Sequence, residues 1–511
     1  MSIEEIDGLS PYHTARGTLY LIAKALVASI SSAIFFIFIA RYLPNVSDLG
    51  LFQGLQALIA ISNILAGSGL SRAAIRFISV YIGSGKENMA EGLYSSIFRI
   101  GLISCAVLST AIYLLSYYIA ILFFHNVYLV SLIQLTSLDI FLYSMIIYLT
   151  SLIYALQAFR KAVIISIINY LVKYALSSIL LVIGMGMDGV ILGFIIGDGA
   201  CMLMLLHPLM PKLRKRPTPI RELRPLFNYS MPLYGSSILD YLSRELDVYL
   251  LLILSSLSVV GIYSPAVFLG TMLFLIQTSL DQSLAPFFSR VYGKSGIKAF
   301  EDLSKFASRY IFLIYLPIGA IALASTPVLL TGILGERYFD SISPSIVIIF
   351  AITLTSLIAV FNNILMSTGR TNIFLKTSMI ALSAQLAISL IAIPYMGGLG
   401  AAIAKSSSYI ILFLIPAYAL KQMAGLHYDK NALKKGLIGS VIVASIIFYI
   451  DFSLSNPYYL PFSIIIGILC YALFLRFTRA INIKDIEIMN KILYGKLGLL
   501  MAIIAKVVIK S

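Results

Sequence analysis

The sequence predicts an all-α integral membrane protein with about fourteen transmembrane helices, and three observations carry that prediction. Of 511 residues, 60% are hydrophobic and only 12% charged, about half the charge of a soluble domain. Mean hydropathy over the whole chain is +0.96, more apolar material than one globular core can hide. It comes in continuous runs of about 20 residues or more, each long enough to cross ~30 Å of hydrocarbon at 1.5 Å per residue. Only helices and closed barrels satisfy every backbone polar group inside a bilayer. Runs without alternation of polar and apolar residues are helical.

Spans are expected near 18–43, 49–71, 96–123, 128–157, 162–184 and 189–210. A second group lies near 226–254, 259–286, 308–334, 343–366, 372–394 and 398–420, and two more near 434–451 and 458–476. The first residues, Met1 to Asp7, are acidic where a signal peptide would be basic, so no cleaved leader is expected. Cys105, Cys201 and Cys470 each fall inside an apolar run without paired spacing, which argues against a disulfide frame or a zinc site.

Charge assigns the sides. Connections after even-numbered spans carry clusters such as Arg72, Arg76, Lys86 and Arg99, or Arg290, Lys294, Lys298, Lys305 and Arg309. The most basic connection runs from Lys212 to Arg224, and the tail adds residues from Arg476 to Lys510. Of the 37 lysines and arginines, only Arg41 and Arg337 sit on odd connections, and only Lys24, Lys173, Arg244 and Lys405 within spans. That asymmetry places the even connections and both termini in the cytoplasm, here of the cell membrane. The net charge of +15 therefore reports topology and attraction to anionic membrane lipids. A nucleic-acid partner would call for that charge on a folded domain, and none is present. The tail beyond Ile481 repeats Ile492, Leu493, Leu497, Leu500, Met501 and Ile504 at helical spacing among lysines. It reads as an amphipathic helix along the cytoplasmic face, with a fifteenth span as the alternative.

The chain also resembles itself. At an offset of 211 residues, ten of thirty-nine positions from Ser47 to Gly85 are identical, including Gly50 with Gly261 and Phe77 with Phe288. The same offset pairs Gly186 with Gly397 and Gly189 with Gly400, at corresponding hairpins. An even number of spans between copies gives two halves of the same orientation, an arrangement suited to rocking transporters. The organisation expected is a six-helix bundle over 1–210, a basic cytoplasmic linker over 211–225 and a second six-helix bundle over 226–420. Helices 13 and 14 follow over 421–477, and the interfacial tail over 478–511.

The stretch Ala40-Arg41-Tyr42-Leu43-Pro44 through Asp48-Leu49-Gly50-Leu51-Phe52 resembles the first two spans of polysaccharide flippases. So do Gly69-Leu70-Ser71-Arg72 with Arg76-Phe77, and Gly85-Lys86. In the second half, Asp247-Val248-Tyr249 leading to Gly261-Ile262-Tyr263 matches the same signature. This is the oligosaccharide-flippase branch of the multidrug/oligosaccharidyl-lipid/polysaccharide exporter superfamily; Pro44 stands where the family often has Gly. The resemblance covers nearly the whole chain and implies two helix bundles around a central cavity lined largely by the first two helices of each half. It further implies that an undecaprenyl- or dolichol-linked sugar is flipped from the cytoplasmic to the outer leaflet. A proton or sodium gradient, or consumption of the product by glycan-assembly or glycosylation enzymes, would give direction.

Charged residues inside spans cost about 2.5–3.5 kcal/mol each on insertion scales, so they face protein or water. Asp240, Arg244 and Asp247 in span 7 recur at i, i+4 and i+7, one face of a helix. They read either as a self-neutralising ladder or as a lining for a headgroup or coupling ion, with Glu245 directed elsewhere. Arg72 and Arg76, one turn apart, suit a pyrophosphate whose oxygens each guanidinium can fork, or else anchor the span by ordinary positive-inside placement. Lys24 is a cavity candidate against simple snorkelling, and Asp281 could pair with a base or carry a proton. Asp139, Lys173, Asp198 and Lys405 read as polar pairs that pack helices.

No P-loop is present, the four histidines are scattered, and neither catalysis, a cofactor nor a metal is expected. Three readings remain: a flippase for a lipid-linked oligosaccharide, an ion-coupled multidrug or small-molecule antiporter of the same superfamily, and a membrane-embedded sugar polymerase. The short outer connections disfavour the last. The duplication predicts that a monomer suffices for transport.

Overall fold

The computed structural model describes residues 11–213, 220–295, 300–355, 358–368, 370–424, 428–454 and 456–480. The amphipathic tail expected beyond residue 480 and residues 214–219 of the basic linker lie outside these residues. Among the described residues every regular element is helical. Eleven helical stretches are long and apolar enough to cross a membrane. Two of them, Phe159–Leu213 and Asn372–Met423, have 55 and 52 residues, roughly 80 Å if straight and more than two bilayer cores. Each is therefore a folded-back pair. With span 7, too polar to count by composition, every one of the fourteen predicted spans is occupied by a helix.

The chain forms two compact units, Met1–Gly261 and Ile262–Ser511. The first unit contains α1 (Pro11–Tyr42), α2 (Val46–Leu65), α3 (Ser68–Gly83), α4 (Glu87–Phe124) and α5 (Val130–Ala155). It continues through α6 (Phe159–Leu180), α7 (Gly186–Leu206), the single turn α8 (Met210–Leu213) and α9 (Ile220–Leu254). Span 7 thus starts six residues before the expected 226, inside what reads from sequence as linker.

Tight reversals join these helices. His125 ends α4 in the left-handed region (φ 52°), and the Asn126 side chain then accepts the Tyr128 amide at 3.0 Å. At the α6–α7 reversal, Gly184 (φ 97°) and Gly186 (φ 58°) adopt backbone that side chains disfavour. The two helices then run back against each other, Ser177 Oγ donating to the Val190 carbonyl at 2.9 Å. Gly189, Gly193 and Gly197 form a small-residue stripe at spacing four. A Cβ at Gly193 would meet the Ser177 amide at 2.5 Å, and one at Gly197 the Lys173 Cα at 2.8 Å. Such stripes let membrane helices approach backbone to backbone.

Span 2 is not one helix. It breaks at Ala66–Gly67, where Gly67 has φ 122°. The Ala66 carbonyl freed by the break accepts the Tyr148 hydroxyl at 2.8 Å and the Ser104 hydroxyl at 2.9 Å. Irregular backbone within a bilayer survives only where protein satisfies it. Tyr148→Phe should therefore cost about 0.5–1.5 kcal/mol. Adding Ser104→Ala should cost more than the sum, because only then is the buried carbonyl orphaned; denaturant titration in mixed micelles reads both.

α10 (Leu257–Ser295) begins in the first unit. There its start meets that of α2 in a contact that is reciprocal under the 211-residue offset. A Cβ at Gly50 would collide with the Leu257 carbonyl, and one at Gly261 with the Val46 carbonyl. Val46 and Leu257, like Gly50 and Gly261, are offset partners, so a local two-fold relates the two helix starts.

The second unit comprises the rest of α10, α11 (Phe300–Val328), α12 (Ile342–Leu354), α13 (Ile358–Ser367), α14 (Thr371–Ala424), α15 (Lys430–Leu454) and α16 (Leu460–Phe477). α14 folds back at Gly397, whose φ 53°, ψ −125° repeats the φ 58°, ψ −142° of Gly186. The internal duplication is thus present in backbone conformation as well as in residue identity. The two C-terminal helices dock on α11. Gly436 of α15 approaches the Phe312 carbonyl, and Tyr471 of α16 donates to the Leu313 carbonyl at 2.7 Å.

Candidate functional site

α9 is the polar helix of the first unit, and its tyrosines hold it against α2 and α3. Tyr241 and Tyr249 both reach the Ala57 carbonyl, at 3.1 and 2.7 Å, with their hydroxyls 2.9 Å apart. Tyr234 donates to the Leu65 carbonyl at 3.3 Å, just before the break in span 2. Glu245 falls midway between Tyr241 and Tyr249 at i+4 spacing, within electrostatic reach of both hydroxyls. It therefore belongs to the face turned toward α2, a different face from that of Arg244. The i, i+4, i+8 run Tyr241-Glu245-Tyr249 is a signal in the sequence that a search for charge alone passes over.

The expected row Asp240, Arg244, Asp247 is on one helix, but its members do not share one environment. Asp247 is fully buried (0% exposed), whereas Arg244 is exposed; both have interaction partners. Arg244 lies ten residues before the end of α9 at Leu254, about 15 Å along the helix and so near the bilayer midplane. A guanidinium at that depth faces protein or water, because hydrocarbon would exact about 2.5–3.5 kcal/mol. The side chains of Asp240 and Asp281 lie outside those described; their backbones are in α9 and α10.

The other cationic candidates collect at the face bearing the basic connections. Lys24 is eighteen residues from the far end of α1, about 27 Å along the helix, level with the last turn of α5. Its ammonium is 3.4 Å from the Tyr154 hydroxyl and 5.9 Å from that ring. On α3, the Arg76 guanidinium lies 4.3 Å from the Tyr229 ring and 5.8 Å from that of Phe77. Such stacking fixes the guanidinium plane while leaving its N–H groups free. Arg72, one turn earlier, is exposed like Arg76. Ser79 of α3 reaches the Ala155 carbonyl of α5 at 3.4 Å, so the two groups are at one level. Tyr154, Phe77 and Tyr229 all border a single hydrophobic cluster built on Leu70, Ile78, Leu149 and Leu152. No carboxylate contacts Arg72 or Arg76 among the described residues. The structure thus offers cations at two depths of one unit: a rim of Lys24, Arg72 and Arg76, and Arg244 near the midplane.

The profile of the family described as "Polysaccharide biosynthesis protein" matches residues 17–343. An uncharacterised membrane protein of Methanocaldococcus jannaschii is 24% identical over 430 residues, which span 79% of this chain and 83% of that one. Among solved structures, the lipid II flippase MurJ in an inward closed conformation superposes with a TM-score of 0.73 at 16% identity. It covers 90% of this chain and 99% of its own. An inward-facing multidrug resistance MATE family transporter follows with a TM-score of 0.65 at 16% identity, over 80% of this chain and 99% of its own. At these identities the likeness is one of fold.

Proposed function

Because the chain belongs to the family of polysaccharide biosynthesis proteins, we propose that it is a flippase for a lipid-linked oligosaccharide. The sugar would ride on a polyprenyl- or dolichyl-phosphate or pyrophosphate and cross from the cytoplasmic to the outer leaflet by alternating access. The observation that carries this reading is the pair of cationic stations, the Lys24, Arg72 and Arg76 rim and the exposed Arg244. A sugar-linked pyrophosphate carries two negative charges and a sugar-linked phosphate one, and forked guanidinium contacts suit the oxygens of either. The rim lies where a headgroup in the leaflet would first meet protein, and Arg244 where the same headgroup would need a counter-charge in transit. In this reading the protein works as a monomer in the cell membrane with both termini cytoplasmic. A proton or sodium gradient or downstream glycan-assembly enzymes would set direction. Fold likeness to the MurJ flippase supports the class, and family membership supports the glycan.

Glu245 and Asp247 on the same helix favour a second reading, an ion-coupled antiporter of cationic small molecules. One assay separates the two. A fluorescent pyrophosphate-linked oligosaccharide lipid is reconstituted with the protein in vesicles, and its passage to the opposite leaflet is followed. The native chain should flip it, and Arg244→Ala should slow flipping on the order of 10–100-fold, the worth of a hydrogen bond to a charged group. Failure of the native chain under both proton and sodium gradients, with export of an organic cation instead, would establish the antiporter.

A further inference from the structure

Away from these cations, a second polar constellation lies in the middle of the first unit and is closed off from its surroundings. Lys173 of α6 and Asp198 of α7 form an ion pair at 2.7 Å, and Asn169 Nδ2 donates to the other oxygen of Asp198 at 2.7 Å. The Lys173 ammonium also sits 4.0 Å from the Phe194 ring and 5.0 Å from that of Tyr143. Beside them stands Asp139 of α5. Its exposure is 0%, and no described residue donates a hydrogen bond to either of its oxygens. Tyr143, one turn along α5 from Asp139, has its ring 5.0 Å from the Lys173 ammonium, which sets the Asp139 carboxyl beside the Lys173–Asp198 pair.

Charge counting makes this arrangement incomplete as drawn. Two carboxylates and one ammonium leave a net charge of −1 in a site without water access, a state that desolvation strongly opposes. Two facing carboxylates also cannot hydrogen-bond to one another, since neither has a hydrogen to give. One added monovalent cation cures both defects. A sodium ion would want several oxygen ligands, as hard cations do. Each oxygen of Asp198 already accepts one hydrogen bond, from Lys173 or Asn169, which leaves Asp139, the unpartnered Asn169 Oδ1 and one lone pair on each Asp198 oxygen. A proton needs only one donor and one acceptor.

We propose that Asp139 and Asp198 bind one exchangeable proton between them, with Lys173 holding the pair at net neutrality. The groups facing this proton are Asp198 and Cys201 on α7, Asn169, Lys173 and Tyr174 on α6, and Tyr143 on α5 itself. From α4 the Ser109 hydroxyl donates to the Ser137 carbonyl, two residues before Asp139. The site is private to the first half of the duplication. At the 211-residue offset, Asp139, Lys173 and Asp198 fall on Phe350, Ala384 and Tyr409. Helix packing common to both halves therefore does not require these charges. What the proton does in transport rests on the flippase reading above; its binding does not.

Infrared difference spectroscopy of the full-length protein in lipid vesicles tests the binding without any transported substrate. The C=O stretch of a buried protonated carboxyl should be present at neutral pH and vanish as the medium is made strongly alkaline. Asp139→Asn should lose the band, and so should Asp198→Asn, because Lys173 then neutralises the one remaining carboxylate. Lys173→Met should roughly double it, and Asp188→Asn, an exposed carboxylate in the first turn of α7, should leave it unchanged. Asp139→Asn keeps the shape of the protonated acid, so it should fold with an unaltered melting midpoint, and Asp198→Asn provides an independent reading. The proposal is overturned by a native protein without the band or by a band that survives both substitutions. A band abolished by sodium at constant pH would also overturn it, since the cation would then be sodium.

Discussion

Lys173→Met should be among the most damaging single substitutions in the protein. The ammonium is the sole cation 2.7 Å from the buried Asp198, whose side chain is 0% exposed. Removing one partner of a buried ion pair strands the other, at a cost of about 3–5 kcal/mol. Met fills much of the lysine's volume, so the loss measures charge rather than a cavity. The double variant Lys173→Met, Asp198→Asn should recover most of it, because a neutral amide at 198 no longer needs a counter-ion. Acidification should also return part of the loss in the single variant, a proton standing in for the missing ammonium. Melting curves in detergent at neutral and acid pH read both effects. A single variant as stable as the native chain would mean that Asp198 does not depend on Lys173 for its charge balance.

Gly50→Ala and Gly261→Ala should be nearly as costly, for a different reason. At each position the added Cβ collides with backbone of the facing helix, the Leu257 carbonyl in one case and the Val46 carbonyl in the other. Backbone cannot rotate away as a side chain can, so the starts of α2 and α10 must separate. Overpacking of this kind costs about 1–3 kcal/mol per site. Because the contact is reciprocal, either substitution alone opens it, and the double variant should cost clearly less than the sum. Gly54→Ala is the comparison: its Cβ would meet the Phe124 ring at 2.7 Å and the Leu252 side chain at 3.1 Å. Those side chains can adjust, and the cost should stay below about 1 kcal/mol. Additive losses at 50 and 261 would show that the two glycines are not parts of one contact.

How much of this was legible in the sequence follows from range. The fourteen spans stand out because each is a local run whose hydropathy the bilayer dictates. The hairpin glycines Gly186 and Gly397 were found through the repeat, since a positive φ demands the same residue in both copies. The stripe Gly189, Gly193 and Gly197 and the run Tyr241-Glu245-Tyr249 were equally legible, being helical periodicities, yet neither emerges from a search guided by charge. The break at Gly67 was hidden by its setting, one glycine among several in an apolar stretch. Its tolerance depends on hydroxyls contributed by Ser104 and Tyr148, far along the chain.

The candidate cations divide in the same way. The sequence marks Lys24, Arg72, Arg76 and Arg244 as unusual, because a charge in or beside an apolar run is a local anomaly. It does not say that Arg76 lies on Tyr229 or that Lys24 meets Tyr154, nor that Asp247 is buried while Arg244 is open. By itself, then, the sequence determined that this chain is a helical membrane protein, how many times it spans, and that it is a duplication. Each of these follows from properties of consecutive residues under the constraint of a bilayer. Only the tertiary structure decided which charges meet, that Lys173 pairs with Asp198 and that Asp139 stands beside them without a donor. It alone revealed that Gly50 and Gly261 touch across the repeat. Contacts between helices depend on how each is rotated and set in depth against its neighbours, and no periodicity within one segment encodes that.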